Sequence, residues 1–427
     1  MIRRGLIVWV VTLLLTGLFA PRQAGAKPLV YVTLSSTNIM SNSLSAVAVI
    51  DAATHAVVAT LPMTWSVTGV AVHPAGIAAY ATINRGEVTY QIGGPILVID
   101  SETLAVTDIV AVGMLPGSIV VHPTGTRVYT ADYGDAPTPG RLSVVDTASN
   151  MLVAYTYLGQ AAATVTTHPA GALVYVTDPL SSLLYVIDTK TNAIVTTVPL
   201  PWVPWGPGGM RVHPSGTPLY LGAWNEAMAL DTTTYSIIGS LPVGAYYLAV
   251  NPAGTRLYTT AVVGNLLTVI DTATFSVLAV VDIGRQAGWV AVHPAGTEIY
   301  VANGETMTVT VVDAGTLAVA AVVPVMTNPM QIAVSPISCT ASTGVRVSGK
   351  IEVSGGTASG VALVLRGPGG CSDVAKTDAR GRWGLRLPDG DYSVTPLAIG
   401  CAFTPATVGF SVSGSDARLA SFAGTCS

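Results

Sequence analysis

One short motif recurs along this chain of 427 residues, and it constrains the fold more than any other feature. The motif is His-Pro-x-Gly or a close variant, and its copies begin at His73, His122, His168, His213, Asn251, His293 and, in degenerate form, Ser335. A Tyr opens an apolar run in each repeat, at Tyr31, Tyr80, Tyr129, Tyr175, Tyr220, Tyr258 and Tyr300. An Asp ends a later apolar run, at Asp51, Asp100, Asp146, Asp188, Asp231, Asp271 and Asp313. Three markers with seven occurrences each indicate seven copies of one structural unit.

Each unit is predicted to contain four short β-strands. In the unit that holds His293, apolar runs at 289–292, 298–302, 308–312 and 317–323 are separated by turn residues. The Pro-x-Gly segment favours a turn because proline presets φ and glycine adopts a positive φ. Four strands in a repeat of 38 to 49 residues are typical of a β-propeller blade and not of a helical solenoid.

The two ends of the repeat region predict how the ring closes. Three strands, at about 29–61, precede the first His-Pro motif, and a single strand at 331–334 follows the last complete unit. Together they make one further four-stranded unit, which removes the exposed edges of an open ring. The sequence therefore predicts an all-β fold, with a seven-bladed β-propeller over 27–342 and a three-plus-one closing blade.

The repeat also resembles a known family. Tyr175-Val-Thr-Asp178 and Tyr300-Val-Ala-Asn303, together with segments such as Val186-Ile-Asp-Thr189, are similar to the YVTN-repeat β-propeller family over roughly 27–336. The resemblance implies the propeller fold and an exported or surface location. It carries no site residue over, because the Asn/Asp position is replaced in four repeats and the usual Ser-Pro-Asp-Gly turn is mostly His-Pro-Ala-Gly. The four replacements are Leu34, Ile83, Ala223 and Ala261.

A second domain is predicted over 343–427, where the repeat markers stop. Short alternating strands and Gly-rich turns favour a small β-sandwich there. The segment from Thr377 through Trp383 to Val394 resembles the carboxypeptidase-regulatory-like (transthyretin-like) family. That resemblance implies a spacer or adhesion module in a fold class that includes carbohydrate binders, and it implies a core position for Trp383.

The first 26 residues are predicted to be a signal peptide for Sec export. Arg3 and Arg4 precede an apolar stretch, and Ala24-Gly25-Ala26 supplies a cleavage pattern. The alternative is a retained membrane anchor. Mean hydropathy is high at +0.57, yet no later apolar run approaches the ~18 residues that span a bilayer. We therefore expect a periplasmic or cell-surface protein with no transmembrane segment after cleavage.

Charge disfavours nucleic acid as a partner. Removing Arg3, Arg4 and Arg22 from the 19 basic residues leaves 16 against 23 acidic ones, a net charge of −7 for the mature chain. The sequence contains no run of Lys or Arg, which a nucleic-acid-binding protein would usually carry.

Four cysteines, Cys339, Cys371, Cys401 and Cys426, lie in or beside the second domain. Without a Cys-x-x-Cys pair or a neighbouring His, they indicate disulfides rather than zinc. Of the three pairings that four cysteines allow, we favour Cys371–Cys401 within the sandwich and Cys339–Cys426 joining its ends.

The repeated His and Asp residues are interpreted as structural. The repeat distributes the histidines around the ring, one per unit, so their side chains do not meet at one point. The Asp carboxylates suit hydrogen bonds to local turn amides. We expect neither a metal site nor a cofactor, and no linear catalytic motif is present.

Aromatic residues on one propeller face make the candidate ligand site. Connections between units, or long loops, hold most of them on one face, with Arg285 nearby. The candidate residues are Trp65, Tyr133, Trp202, Trp205, Trp224, Tyr246, Arg285 and Trp289. Further polar candidates are Asp132, Asp178, Glu226 and Asn303. The alternative interpretation of the aromatics is packing between blades.

Three functions stay open at this point. The first is a non-enzymatic binding or scaffold protein of the cell envelope that recognises an envelope protein, a glycan or a small molecule with its aromatic face. The second is a lactonase-like hydrolase or a dehydrogenase-type propeller using Glu226 and Arg285 at the channel mouth. The third is a structural component of a surface layer.

Overall fold

The computed structural model describes residues 28–35, 45–84, 93–134, 137–201, 208–261, 264–339, 344–368, 371–398, 401–414, 417–419 and 421–426. The predicted signal peptide lies outside these ranges, as do Trp202 and Trp205. The fold is all-β, as predicted. Within the described ranges we find no helix of the length and apolarity needed to cross a membrane.

The first 28 strands cover the repeat region. In chain order they are β1 (Leu29–Leu34), β2 (Ser45–Asp51), β3 (Ala56–Met63), β4 (Ser66–Val72), β5 (Ala78–Asn84), β6 (Pro95–Asp100), β7 (Val106–Ala111), β8 (Pro116–Val121), β9 (Arg127–Asp132), β10 (Arg141–Asp146), β11 (Met151–Tyr157), β12 (Thr164–Thr167), β13 (Leu173–Asp178), β14 (Leu183–Asp188), β15 (Ile194–Pro199), β16 (Gly209–Val212), β17 (Leu219–Gly222), β18 (Ala227–Leu230), β19 (Ile237–Leu241), β20 (Tyr247–Val250), β21 (Arg256–Thr260), β22 (Leu266–Asp271), β23 (Ser276–Asp282), β24 (Ala287–Val292), β25 (Glu298–Asn303), β26 (Thr308–Asp313), β27 (Val319–Pro324) and β28 (Pro329–Val334).

Nine further strands follow. They are β29 (Val345–Ser354), β30 (Ala362–Arg366), β31 (Ser372–Lys376), β32 (Arg382–Leu387), β33 (Gly390–Leu397), β34 (Cys401–Thr404), β35 (Val408–Val412), β36 (Ala417–Arg418) and β37 (Phe422–Cys426).

Strands β1–β28 form seven four-stranded antiparallel sheets. We number them along the chain: sheet 1 has the order β28-β1-β2-β3, and sheets 2 to 7 are β4–β7, β8–β11, β12–β15, β16–β19, β20–β23 and β24–β27. The first strand of each sheet, which we call its inner strand, lies against the inner strand of the next sheet. Because β28 also lies against β4, these contacts close into a circle around a central channel.

Sheet 1 is built from both ends of the repeat region. β28 pairs with β1 in a register that places Val334 opposite Val30. The Leu29 amide donates to Ser335 Oγ at 2.7 Å, and the Gln331 amide donates to Thr33 Oγ1 at 2.9 Å. Residues about 300 positions apart are thus joined by a strand ladder and by side-chain hydrogen bonds.

The core lies between consecutive sheets and explains the repeated Tyr. The seven tyrosines of the second strands are all buried between sheets, with apolar residues of the neighbouring sheet around them. The outermost strands are instead mostly exposed or half-buried, and β11 alternates strictly between the two. One sheet therefore contributes both of its faces to the core, which requires the near-continuous apolar runs of the middle strands.

The repeated Asp residues close local turns, as the sequence predicted. Asp51 Oδ1 accepts the amides of Ala53 and Thr54 at 2.8 and 2.9 Å. Asp231 and Asp313 accept the amides two and three residues ahead in the same way.

The repeated histidines join one sheet to the next. His73 Nδ1 accepts the Ala75 amide at 3.0 Å within its own turn, and its Nε2 lies 3.0 Å from the Gly125 carbonyl oxygen of sheet 3. This arrangement needs a neutral ring protonated at Nε2. His122 and His213 make the same contact with the following turns, at 2.7 and 2.9 Å. The motif glycines adopt a positive φ, and a Cβ at Gly125 would clash with the His73 ring. The histidines are therefore turn and inter-sheet residues.

Strands β29–β37 form two sheets around a separate core. One has the order β32-β29-β37-β34, with β36 also paired to β29, and the other has the order β31-β30-β33-β35. Trp383 is 5% exposed within this core, as the family resemblance implied.

The predicted disulfide pairing is wrong. The bonds join Cys339 to Cys371 and Cys401 to Cys426. Cys401 and Cys426 stand directly opposite each other in the β34–β37 ladder. Cys339 is held beside Cys371 because Ile337 forms a bridge with Cys371 and Asp373 Oδ2 accepts the Cys339 amide at 2.6 Å. Strand register, which the sequence does not reveal, decides the pairing.

Candidate functional site

A cavity of about 480 Å³ opens where the seven inner strands begin. We call it the mouth cavity. Every one of sheets 1 to 7 contributes to its wall, and the described lining residues are Thr68, Gly117, Ser118, Tyr133, Ala163, Thr164, Pro179, Leu180, Gly208, Tyr246, Tyr247, Trp289, Met330 and Gln331. The wall combines aromatic rings with hydroxyl and amide groups, so it can both stack on a ligand and hydrogen-bond to it.

Four aromatic rings form a continuous row, and three of them, Tyr246, Tyr247 and Trp289, line this cavity. The centroids are 6.3 Å apart for Trp224 and Tyr246, 5.0 Å for Tyr246 and Tyr247, and 4.9 Å for Tyr247 and Trp289. The row crosses sheets 5, 6 and 7. Burial raises the pKa of Tyr247 to about 12, so its hydroxyl is neutral and can donate or accept a hydrogen bond. Such a row presents ring edges and faces suited to an apolar or sugar surface.

The structure places the remaining predicted face residues in different environments. Tyr133 lines the mouth cavity from sheet 3 and is 39% exposed. Trp65 is exposed between β3 and β4 but is absent from the cavity wall among the described residues. Arg285 points to solvent and pairs with Glu305, 3.6 Å away. Trp289, which belongs to the row, lies inside β24, where a strand was predicted at 289–292 and where the register with β25 shifts. The structure thus gathers Tyr133, Trp224, Tyr246 and Trp289, and adds Tyr247.

The side chains of the predicted polar candidates form hydrogen bonds with neighbouring segments of the protein. Asp132 is fully buried and accepts from the Gly113 amide, Ser143 Oγ and Arg141 Nε at 2.7, 2.5 and 3.3 Å. Burial raises the pKa of its carboxyl, while these bonds oppose the rise. Asp132 and Arg141 line a smaller cavity of about 280 Å³ on the same face.

Asp178, Asn303 and Glu226 also serve neighbouring segments. Asp178 accepts the Gln160 amide at 2.8 Å, and Asn303 Nδ2 donates to Thr310 Oγ1 at 2.7 Å. Glu226 accepts a hydrogen bond from Ser240 Oγ. The Asp132 and Asp178 contacts explain the Asn/Asp position of the repeat in sheets 3 and 4: its side chain binds the connection that enters the same sheet.

A second cavity, of about 400 Å³, lies further along the inner strands, and we call it the inner cavity. It shares Ser118 and Gln331 with the mouth cavity, so the two spaces adjoin along the channel. Ser118 Oγ accepts the Val165 amide at 3.2 Å, and Gln331 Oε1 accepts the Val70 amide at 2.7 Å. Its wall is mostly apolar, and Arg211 is the charged exception among the described lining residues.

A basic groove of about 820 Å³ lies on the β29–β32 strand pair, and sequence reasoning missed it. Arg346 stands directly opposite Arg386, and Lys350 directly opposite Arg382, with Lys376 nearby. Lys350 pairs with Glu352 and Arg382 with Asp378, at 2.8 and 2.9 Å. These cations are scattered in the sequence, and only strand pairing brings them together. The lack of a Lys/Arg run therefore did not mean the lack of a basic surface.

No group of three His, Cys, Asp or Glu side chains close enough to hold a metal ion occurs in the described part of the chain.

Comparison with protein-family models gives no match, and no curated protein matches the chain. Among solved structures, hydrazine synthase of Kuenenia stuttgartiensis is similar with a TM-score of 0.59 and 18% identity, covering 73% of this chain and 99% of that one. A functionally unknown protein from Desulfotomaculum acetoxidans DSM 771 is similar with a TM-score of 0.59 and 11% identity, covering 71% of this chain and 98% of that one.

The periplasmic gluconolactonase of Pseudomonas aeruginosa is similar with a TM-score of 0.58 and 16% identity, covering 72% of this chain and 99% of that one. At these identities the likeness bears on the fold alone. The hydrazine synthase and the gluconolactonase are β-propeller proteins, and the four-stranded sheets of this chain agree with theirs. The chain therefore has a β-propeller-like all-β fold.

Proposed function

We propose that this chain is an exported, non-enzymatic binding protein of the cell envelope that holds a small ligand, such as a sugar, in the mouth cavity. The single observation that carries the proposal is the row Trp224, Tyr246, Tyr247 and Trp289, whose last three members line a cavity of about 480 Å³. Concave sites with aromatic walls and a few polar groups are the usual form of small-ligand sites. Thr68, Thr164 and Gln331 supply polar groups in the same wall.

The architecture that we propose around this site follows the repeat. Sheets 1 to 7 are the blades of a seven-bladed propeller over 27–342, with sheet 1 as its three-plus-one closing blade. The circle of inner-strand contacts and the mixed origin of sheet 1 support this reading. Residues 343–427 form a carboxypeptidase-regulatory-like β-sandwich, and the two disulfides support export after removal of a signal peptide, 1–26.

The composition of the mouth cavity favours binding over hydrolysis. Its described lining contains no Asp, Glu, His, Lys or Arg, which are the usual general acids, bases and charge stabilisers. Glu226 and Arg285, the pair on which the hydrolase alternative rests, contact Ser240 and Glu305 instead of each other. A site without these groups can still bind a ligand strongly through stacking and hydrogen bonds.

The proposal predicts that the aromatic row is needed for binding. The mature full chain is screened against glycans and metabolites, and its affinity for the best ligand is compared with that of Tyr246→Ala/Trp289→Ala. We expect affinity to fall about tenfold or more, because losing about 1.4 kcal/mol of contact energy changes the affinity tenfold. Titration with intrinsic tryptophan fluorescence or calorimetry measures the change.

Trp65→Ala is the matched control, since Trp65 is an exposed tryptophan outside the described cavity wall. It should leave the affinity unchanged. Tyr133→Ala is the second test variant, because Tyr133 is exposed and its loss leaves the packed row intact. Unchanged affinity in both cavity variants, with melting temperatures near that of the parent, would contradict the proposal.

A lactonase-like hydrolase is the second candidate, favoured by the likeness to a gluconolactonase. The direct assay is release of acid from glucono-1,5-lactone and related lactones by the mature chain. Turnover that Glu226→Gln or Arg285→Gln abolishes would replace the binding proposal with the enzyme. If the chain shows neither binding nor turnover, a structural role in a surface layer gains support.

A further inference from the structure

We infer that the inner cavity is an anion subsite in which Arg211 binds the acidic group of a ligand whose other end stacks in the mouth cavity. The ligand class is a carboxylate-bearing saccharide of about disaccharide length. This inference rests on the proposed function, which it deepens by naming the class of ligand.

Arg211 breaks the repeat at a single level of the channel. The residue two positions before the motif start is small or uncharged in every other sheet, and all seven such residues line the inner cavity. They are Ala71, Val120, Thr166, Arg211, Ala249, Ala291 and Ala333. Six short side chains leave space at this level, and one long cation enters it. Packing around the ring does not require an arginine here, since the other six sheets pack without one.

The guanidinium lacks a charged partner in the described chain. Its Nη1 donates to the Met210 carbonyl at 2.7 Å, and no described carboxylate lies within 4.0 Å of it. Burial lowers the pKa of Arg211 to about 10, so it is still charged at neutral pH. A guanidinium carries five N–H donors in a fork that matches a carboxylate, and most of those donors remain for a ligand.

A cation held among apolar walls without a counter-ion destabilises the fold, because desolvation is not repaid by an ion pair. Residues that cost stability in this way are characteristic of functional sites. An anion that enters the channel would supply the missing charge.

The length of the ligand follows from the strand geometry. Gly208 lines the mouth cavity directly before β16 begins, and Arg211 lies three residues later, within β16. At about 3.3 Å per residue, the two levels are about 10 Å apart. A ligand that stacks on Tyr246 and reaches Arg211 must therefore carry its acidic group about 10 Å from its stacking ring, which fits an acidic disaccharide better than a single sugar.

The test compares the mature full chain with Arg211→Met and Arg211→Lys. Three probes are used at constant ionic strength: inorganic sulfate, cellobionate and the neutral analogue cellobiose. We expect sulfate and cellobionate to raise the melting temperature of the parent and of Arg211→Lys more than that of Arg211→Met. We also expect Arg211→Met alone to raise the ligand-free melting temperature by about 2 °C or more, because it removes the unpaired charge. A merely structural arginine would give the opposite sign.

A bromide soak of crystals of the parent protein supplies the direct readout. An anomalous peak beside the Arg211 guanidinium that is absent in Arg211→Met supports the subsite. If no peak forms and the sulfate response is equal in both proteins, the inference is overturned.

The two proposals fail separately. Equal response of the parent and Arg211→Met to cellobionate, with loss of response in Tyr246→Ala/Trp289→Ala, overturns the anion subsite and leaves the mouth site standing. A sulfate response that depends on Arg211, with binding in the aromatic variant unchanged, leaves the anion subsite and removes the stacking site.

Discussion

At the scale of single residues, the buried histidines make the fold sensitive to mild acid. His73 is 6% exposed, and burial lowers its pKa to about 4 from an ordinary value of 6.5. Burial also lowers the pKa of His122, His168 and His293. The folded state therefore favours the neutral ring. Nε2 already donates to the Gly125 carbonyl, and a proton added to Nδ1 would break the hydrogen bond that Nδ1 accepts from the Ala75 amide.

We predict that stability falls as the pH decreases from about 6.5 towards 4. The folded pKa lies below the unfolded one, so the His73 contribution is complete above pH 6.5 and is lost on the way down to about 4. The difference between the unfolded and folded pKa values of His73 corresponds to about 3 kcal/mol of unfolding free energy, which is lost once the ring is protonated in both states. Urea unfolding from pH 7.5 to pH 4 measures the free energy of unfolding.

His73→Asn is the matched variant, because Asn251 occupies the same motif position in sheet 6. The variant should be less stable than the parent at pH 7.5, and the gap between the two proteins should narrow as the pH falls. A gap that stays constant down to pH 4 would show that His73 does not carry this dependence.

At the scale of elements, the β29–β32 pair places like charges face to face. Arg346 opposite Arg386 and Lys350 opposite Arg382 oppose the pairing of the two strands, since like charges across a ladder are unfavourable. The carboxylates of Glu352 and Asp378 relieve the second pair. In the first pair, both cations lie on the same side of the sheet, and Arg386 Nη1 donates to the Gly344 carbonyl at 2.9 Å.

We predict that Arg386→Glu stabilises the chain by roughly 0.2–1 kcal/mol at low salt, because it turns a like-charge pair into an opposite-charge pair. The gain should shrink at 0.5 M salt, where such surface interactions are screened. Arg386→Gln is the control that removes the charge without reversing it. Equal unfolding free energies for the two variants at low salt would contradict the electrostatic explanation.

The strands and turns were predictable from the sequence because their causes are local. Proline, glycine and the Asp turns recur at fixed places in each repeat, and the four strands around His293 lie within two residues of their predicted positions. Features that depend on register were not predictable. The pairing of Cys401 with Cys426 and the meeting of Arg346 with Arg386 need the alignment of strands that are distant in the chain.

The candidate site was predictable in part for the same reason. Repeat symmetry placed Tyr133, Trp224 and Tyr246 near the channel, but it also drew in Arg285, whose side chain turns to solvent and to Glu305. Arg211 was overlooked, although alignment of the seven repeats at the position two before each motif would have exposed it as the one charged residue there.

At the scale of the whole molecule, β28 closes the circle of sheets by pairing with β1 in sheet 1. Two truncated chains test this role. One chain ends at residue 342 and carries Cys339→Ser, and the other ends at residue 328. Only the longer chain contains β28, which completes sheet 1. We predict that the longer chain is a folded monomer and that the shorter one aggregates, because β1 would expose an apolar edge. Light scattering and thermal unfolding compare them, and a stable monomer ending at residue 328 would show that β28 is dispensable.

The histidine contacts give the molecule a direction. His73 reaches the turn of sheet 3, His122 that of sheet 4 and His213 that of sheet 6, always towards the later part of the chain. During synthesis, the imidazoles of His73, His122 and His213 therefore lack their acceptor until the turn of the following sheet has been made. Sheet 1, the earliest to emerge, is complete only when β28, the last strand of the repeat region, has been made.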